Sequence, residues 1–343
     1  MSLMRRIGLR LPIFQAPMAG SQDQALASAI TRAGGLGALP AAMLSVEALD
    51  RALAELKGDG PINVNFFCHR PPDAQPERLS AWHRLLAPFH EELGIAPPPP
   101  SDDPGRRPFD AEACDLVERH RPKVVSFHFG LPEPALLGRV KDSGALVVST
   151  ATTVDEARWL EEHGADAIIA QGIEAGGHRG HFLSDDLSLQ LGTLALVPQV
   201  VDSVKVPVIA AGGIGEPRGV AAALALGAEA VQVGTAFLCC PEATTRAVHR
   251  RALLEAEAPT ALTNLFSGRP ARGIVNRLMQ ELGPMNDRVP DFPLAPAGLS
   301  ELRAAGEANH SGDFSPLWSG QNRRGCREVP AAEQLAWLAE GLH

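Results

Sequence analysis

Short apolar runs recur along this chain, each followed by a stretch of helical periodicity, and that alternation constrains the fold more than any other feature. Strands are expected at Ile13–Met18, Leu36–Pro40, Ile62–Cys68, Val124–Phe129, Leu146–Thr150, Ala167–Ala170, Val206–Ala210 and Ala230–Val233. Helices fall between them. Ser21–Ala33 is stopped by Gly34-Gly35, and Ser45 is a natural N-cap for a helix to Leu56, with Glu47 in its first turn. Further helices are expected at 110–120, 132–143, Val154–His163, 193–203 and 216–226. Apolar strands separated by helices describe a parallel sheet buried on both faces. A closed α/β barrel of the (β/α)8 TIM type is the simplest account, with an open doubly wound sheet as the structural competitor. No repeat of solenoid length is present.

Two segments break the rhythm. Pro71–Pro108 is rich in proline, with four consecutive prolines at 97–100 and a helix expected near Leu79–Leu93; it reads as a surface excursion or lid. From Pro241 to Gly312 the pattern is helical and irregular, with no clear strand. The expectation is a small helical domain, 241–312, inserted into a barrel made of 1–240 and 313–343, whose last helix is Ala331–Leu342.

Composition narrows the function. With 31 basic against 40 acidic residues the net charge is −9, which disfavours non-specific binding to nucleic acid or anionic membrane. No apolar stretch approaches a membrane span, and the N-terminus lacks the apolar region of a secretory signal. Cys68, Cys114, Cys239, Cys240 and Cys326 show no CxxC spacing, so neither a disulfide framework nor a metal site is indicated and a cytoplasmic location is expected. Tyrosine is absent, which removes phenol chemistry.

A barrel carries its chemistry at the C-terminal ends of its strands. The run Ala167–Phe182, AIIAQGIEAGGHRGHF, has that layout: an apolar strand, then glycines, then two histidines and an arginine. After the last two strands come VIAAGGIG (Val208–Gly215), with Pro217 near the start of the next helix, and AVQVGT (Ala230–Thr235). Glycines there let backbone N–H groups face phosphate oxygens. Pro17-Met18-Ala19-Gly20 is a turn where backbone can approach a ligand. Asn63 and Asn65 interrupt an apolar strand, so at least one faces something polar.

Gln15-Ala16-Pro17-Met18-Ala19-Gly20, Asn63-Val64-Asn65-Phe66-Phe67, Gln171 through Gly176-Gly177-His178-Arg179-Gly180, Ala211-Gly212-Gly213-Ile214, Gln232-Val233-Gly234-Thr235 and Ser267-Gly268-Arg269-Pro270-Ala271-Arg272-Gly273 together resemble the nitronate monooxygenase (2-nitropropane dioxygenase) family, and within it the class I enzymes. The resemblance implies an FMN-dependent barrel that oxidises alkyl nitronates such as propionate 3-nitronate with dioxygen, giving a carbonyl compound and nitrite. It sets Pro17 and Met18 against the flavin ring and Asn65 and Gln171 at the isoalloxazine edge. Gly176, Gly177, Gly212, Gly213, Gln232, Val233, Gly234 and Thr235 would hold the rest of the cofactor. His178 resembles the family's active-site histidine. A neutral nitroalkane needs a base to lose its α-proton, and histidine titrates in the right range; a nitronate, already an anion, needs only to be positioned.

Phe67, His128 and Trp318 are expected in the substrate pocket, with Phe66, Phe129, Phe182 and Phe314 as further aromatic walls, because tyrosines used by some family members are missing here. His181, Arg269 and Arg272 are open between site and scaffold, and a homodimer is compatible with the sequence. Two other readings stand. One is an FMN-dependent NAD(P)H reductase of quinones or enoyl thioesters, which shares the glycine loops. The other is a non-catalytic barrel that binds flavin or a phosphometabolite.

Overall fold

A short apolar strand buried along its length must pair on both edges, and a sheet closed on itself meets that demand. In the computed structural model, which describes residues 2–73, 75–97, 105–255 and 257–342, eight parallel strands do this. They are β1 (Ile13–Gln15), β2 (Gly37–Pro40), β3 (Ile62–Phe67), β4 (Val124–His128), β5 (Leu146–Ala151), β6 (Ala167–Gln171), β8 (Val208–Ala211) and β9 (Ala230–Val233); the two-residue strand β7 (Gly177–His178) lies outside the barrel. The order is β1-β9-β8-β6-β5-β4-β3-β2. Leu36 closes the ring, its N–H donating to the Ile13 carbonyl at 3.0 Å and its carbonyl accepting from the Gln15 N–H at 2.9 Å. The fold is a (β/α)8 TIM barrel.

Side chains alternate along each strand, and the inward set divides into two layers. Phe14, Leu36, Val124, Val148, Ala167, Ile169, Ile209 and Ala230 fill the N-terminal half, where the helix Leu3–Ile7 plugs the mouth with two buried side chains. Above them the inward set turns polar: Asn65, Ser126, His128, Thr150, Gln171 and Gln232. The outward set, including Val64, Phe66, Phe127, Ile168, Val231 and Val233, packs under the helices. One mouth is sealed and the other is lined with polar groups.

The helices start where capping chemistry predicts. The Ser45 hydroxyl accepts from the Ala48 N–H at 3.2 Å, and Asp23, Asp110 and Thr153 cap in the same way. The helix expected from Ser21 begins at Gln24, because Asp23 takes the cap, and β8 begins at Val208, two residues later than expected.

The segments outside the barrel differ from the sequence reading. The 241–312 stretch contains two strands, β10 (Thr260–Thr263) and β11 (Ala271–Ile274), antiparallel to each other, and β11 also pairs antiparallel with β7. Nor does the helix of the excursion, Pro76–Leu93, stand alone. Its Trp82, Leu86 and Phe89 share a buried core with Leu265, Phe266, Leu278, Met279, Leu299 and Phe314. The Trp82 indole donates to the Ala295 carbonyl at 3.1 Å, and Arg78 pairs with Asp291 at 2.6 Å. The proline run beyond Pro97 lies outside the described residues.

Candidate active site

The polar inward layer forms the floor of a cavity enclosing about 1350 Å³ of non-atom space, its solvent-open part included. The loop after β1 rims one side. There Gln22 accepts from the Met18 N–H at 2.8 Å, while the Ala38 N–H donates to Gln15 at 2.9 Å. These two buried glutamines hold Pro17 and Met18 at the rim. Asn65 reaches sideways, its amide donating to the Ser126 hydroxyl at 3.0 Å.

The glycine-rich loops occupy the far side. Among the described residues the backbone N–H groups of Gly213, Ile214 and Gly234 have no protein acceptor. Asn322 donates to the Gly213 carbonyl at 3.0 Å, and the Thr235 hydroxyl accepts from the Gly320 N–H at 3.0 Å, leaving its own hydrogen free to donate. Gln232 Oε1 is buried without a partner in the cavity wall. Several unpaired donors lining one space, beside a lone acceptor, suit an anionic group joined to a hydroxylated chain.

His178 is the centre of the other half. Its carbonyl accepts from Gln171 Nε2 at 3.0 Å and from His128 Nε2 at 3.2 Å. On the other side of β7, the Arg179 N–H donates to the Pro270 carbonyl at 2.9 Å. The glycine at 180 is required, because a Cβ there would lie 2.6 Å from Thr150 and 2.8 Å from the His128 ring. The backbone is therefore fixed while the ring projects into the cavity among Phe292, Trp318, Phe67 and Phe129, with centroids 5.3, 5.8, 6.0 and 6.1 Å away. Its Nε2 is buried and has no partner. Burial, with Arg106, His128, Arg269 and His69 nearby, holds its pKa well below the ordinary value, so the imidazole is neutral at physiological pH. Burial also lowers His128 to about 3. A neutral His128 donates through Nε2 and therefore accepts from the Thr150 hydroxyl, 3.1 Å from its Nδ1.

A family model described as nitronate monooxygenase matches residues 2–340. The chain belongs to the nitronate monooxygenase family. It is 43% identical to the nitronate monooxygenase of Pseudomonas aeruginosa, covering 98% of both chains, and 40% identical to that of Paraburkholderia phytofirmans, covering 99% of this chain and 94% of the relative. The crystal structure of nitroalkane oxidase from Streptomyces ansochromogenes superposes with a TM-score of 0.89 at 38% identity, over 100% and 99% of the two chains. FabK from Thermotoga maritima is similar at a TM-score of 0.70 and 27% identity, over 99% and 96%. As a family member the protein is a flavin-dependent oxidoreductase.

Of the residues expected from the sequence to act in catalysis, hold the cofactor or line the substrate pocket, all but one line this cavity: Pro17, Met18, Asn65, Phe67, His128, Gln171, Gly176, Gly177, His178, Gly212, Gly213, Gln232, Gly234, Thr235 and Trp318. The exception is Val233. On β9 it alternates outward beside the inward Gln232, and its side chain is buried in the core beneath the helices. Three of the further aromatic candidates also lie elsewhere. Phe66 packs on Phe109 at 4.7 Å, Phe182 on Trp159 at 5.1 Å and Phe314 on Phe89 at 5.5 Å. Gln171 is already engaged, bonding the His178 carbonyl and accepting from the Gly180 N–H, so it clamps the loop.

The arginines left open, Arg269 and Arg272, both bond backbone carbonyls, as does Arg179. Arg179, fully buried, donates to Gln190 and to the carbonyls of Gly172 and Gln171. Arg272 donates to the Ile173 carbonyl at 2.9 Å, and Arg269 bonds the His181 carbonyl while its guanidinium lies 4.3 Å over Phe129. The sequence reading missed Arg106, Ser126, Thr150, His249, Asn322 and Phe292. Ser126 and Thr150 were legible in principle, since each is two residues from another inward position on its strand. His249, whose Nε2 donates to the Trp318 carbonyl at 2.9 Å, comes from a helix with no local signal.

Proposed function

We propose that the protein oxidises alkyl nitronates, propionate 3-nitronate among them, with dioxygen on bound FMN, releasing a carbonyl compound and nitrite. One observation carries the reading within this family: a neutral His178 ring, its buried Nε2 without a partner, faces an aromatic-walled cavity. FMN is the flavin that the donor set suits, because a single phosphate matches the N–H groups of Gly213, Ile214 and Gly234 with the Thr235 hydroxyl. Gln232 Oε1 would accept from the ribityl chain, and Met18, Asn65 and Gly176 would lie along the ring. When bound, the flavin supplies the electron-accepting chemistry and its coupling to dioxygen.

The chain's own residues do the rest. His178 Nε2 takes the α-proton of a neutral nitroalkane, and for a nitronate it orients the anion instead. Phe67, Phe292 and Trp318 exclude water from that exchange. Gln171 and His128 hold the His178 backbone so that the ring cannot drift. In the same proposal residues 1–240 and 313–343 form the flavin barrel, and 241–312 is a smaller unit that buttresses β7. The cytoplasm is the proposed setting, where five cysteines stay as free thiols.

The competing reading is an NAD(P)H-dependent reductase, favoured by the likeness to FabK. Incubation of the flavin-loaded protein with propionate 3-nitronate in air separates the two. Nitrite should form with oxygen consumption and without NADPH. NADPH oxidation with no nitrite from the nitronate would overturn the proposal.

A further inference from the structure

Arg106 is the one permanently charged side chain lining the cavity among the described residues. The histidines there do not share that role, since burial keeps His128 near 3, His249 near 4 and His178 well below its ordinary value. Among the described residues no carboxylate offsets the guanidinium: it forms no ion pair there, and the charged group that bears on it most is another cation, Arg303. The guanidinium lies against Phe292, whose ring centre is 5.6 Å from the guanidinium carbon and 5.3 Å from the His178 ring centre. A ring face offers a guanidinium no hydrogen-bond acceptor in its plane, so the fork of N–H donors stays unspent. Arg106 is half-buried, so its donors remain available to an anion that enters the cavity.

That anion is not the cofactor's phosphate. The chain of Arg106 runs onto β3, with the Phe109 N–H donating to the Phe67 carbonyl at 2.8 Å. In the strand order β3 stands opposite β8, whose loop carries the phosphate donors. The two anion-seeking features therefore face each other across the barrel mouth. His178 and the apolar faces of Phe67 and Phe292 lie on the Arg106 side.

We infer that Arg106 is a specificity-determining residue that binds a carboxylate on the tail of the substrate, so that the site selects short nitronates carrying a second anion. The inference rests on the nitronate reading above and deepens it: the nitronate end meets His178, the methylenes meet Phe67 and Phe292, and the carboxylate meets the planar fork of Arg106. Arginine suits this because its donors match both carboxylate oxygens at once.

The test compares propionate 3-nitronate with propyl-1-nitronate, which lacks the carboxylate, on the flavin-loaded enzyme and on Arg106→Met and Arg106→Lys. The ratio of the two kcat/KM values should fall by about tenfold or more in Arg106→Met, mainly through KM for the carboxylated substrate, and recover in part in Arg106→Lys. A ratio that stays the same, or equal losses on both substrates, overturns the inference. A second arm needs no turnover: succinate and butyrate are titrated against the flavin absorbance. Succinate should bind wild type about tenfold more tightly than butyrate, and Arg106→Met should abolish the preference. If neither nitronate is oxidised the proposed activity fails, yet the succinate arm still decides the role of Arg106. If Arg106→Met does not retain flavin, the neutral Arg106→Gln carries both arms, and a wild-type ratio in that variant overturns the inference.

Discussion

A histidine acts as a base near neutral pH only while it is uncharged, and burial beside Arg106 and Arg269 keeps His178 in that state. Replacing it in His178→Asn should lower kcat/KM for a neutral nitroalkane by about 10²–10⁴-fold, with a smaller loss on the corresponding nitronate, which needs no deprotonation. Equal losses on both substrates would show that the ring only positions. The direction of the pKa shift adds a second expectation. Because protonation is displaced below the ordinary value, the profile of kcat/KM for the nitroalkane should show no histidine limb between about pH 7 and 6, and a midpoint near 6.5 would contradict the assignment. At this scale the sequence was informative where chemistry is local. GGHRG after an apolar strand exposed His178, and AGGIG exposed the N–H cluster at Gly213. It was misleading at Val233, where a contiguous motif hid the strand alternation that turns one neighbour inward and the next into the core. It was silent on Arg106, which sits at the end of an irregular stretch with no period to place it.

The element that matters most is the shortest, β7. It is held by Gln171 and His128 from the barrel and by β11 from the segment outside it, so His178 is aimed by two parts of the chain at once. Gly180→Ala should disturb this directly, since the added methyl meets Thr150 and the His128 ring inside contact distance. A displacement near 1 Å costs about 10²-fold in activity, so kcat/KM should fall by that order while the far-ultraviolet circular dichroism stays native. Activity close to wild type would mean that β7 tolerates the shift. The barrel strands were legible because each βα unit is a local pattern of apolar run and amphipathic helix. The sheet of β10, β11 and β7 was not. Its strands are two to four residues long, and β11 contains a buried arginine and a glycine, so no alternation announces it and its pairing joins distant stretches of chain.

For the whole molecule, the barrel supplies one sealed end and one reactive end, while a second core built around Trp82 braces the segment that carries β11. Trp82→Ala should cost about 3–5 kcal/mol in chemical denaturation, and it should weaken activity before the barrel itself unfolds. A loss below 1 kcal/mol would show that the excursion helix is not part of the core. Buried neutral histidines also tie stability to pH. His128 at about 3 and His249 at about 4 bind protons in the unfolded chain below about 6.5 but not in the folded one, so stability is fully present above that value and drains as pH falls through it. Each withdraws up to about 1.4 kcal/mol per pH unit between about 6.5 and its own folded value, so Tm should drop between about pH 7 and 5. An unchanged Tm would show that these rings are solvated. The central claim, a flavin barrel in which His178 faces a nitronate, is tested most directly by anaerobic mixing of the flavin-loaded protein with propionate 3-nitronate and, separately, with NADPH. The account predicts rapid loss of the visible flavin absorbance with the nitronate and none with NADPH; fast bleaching by NADPH and no response to the nitronate would contradict it.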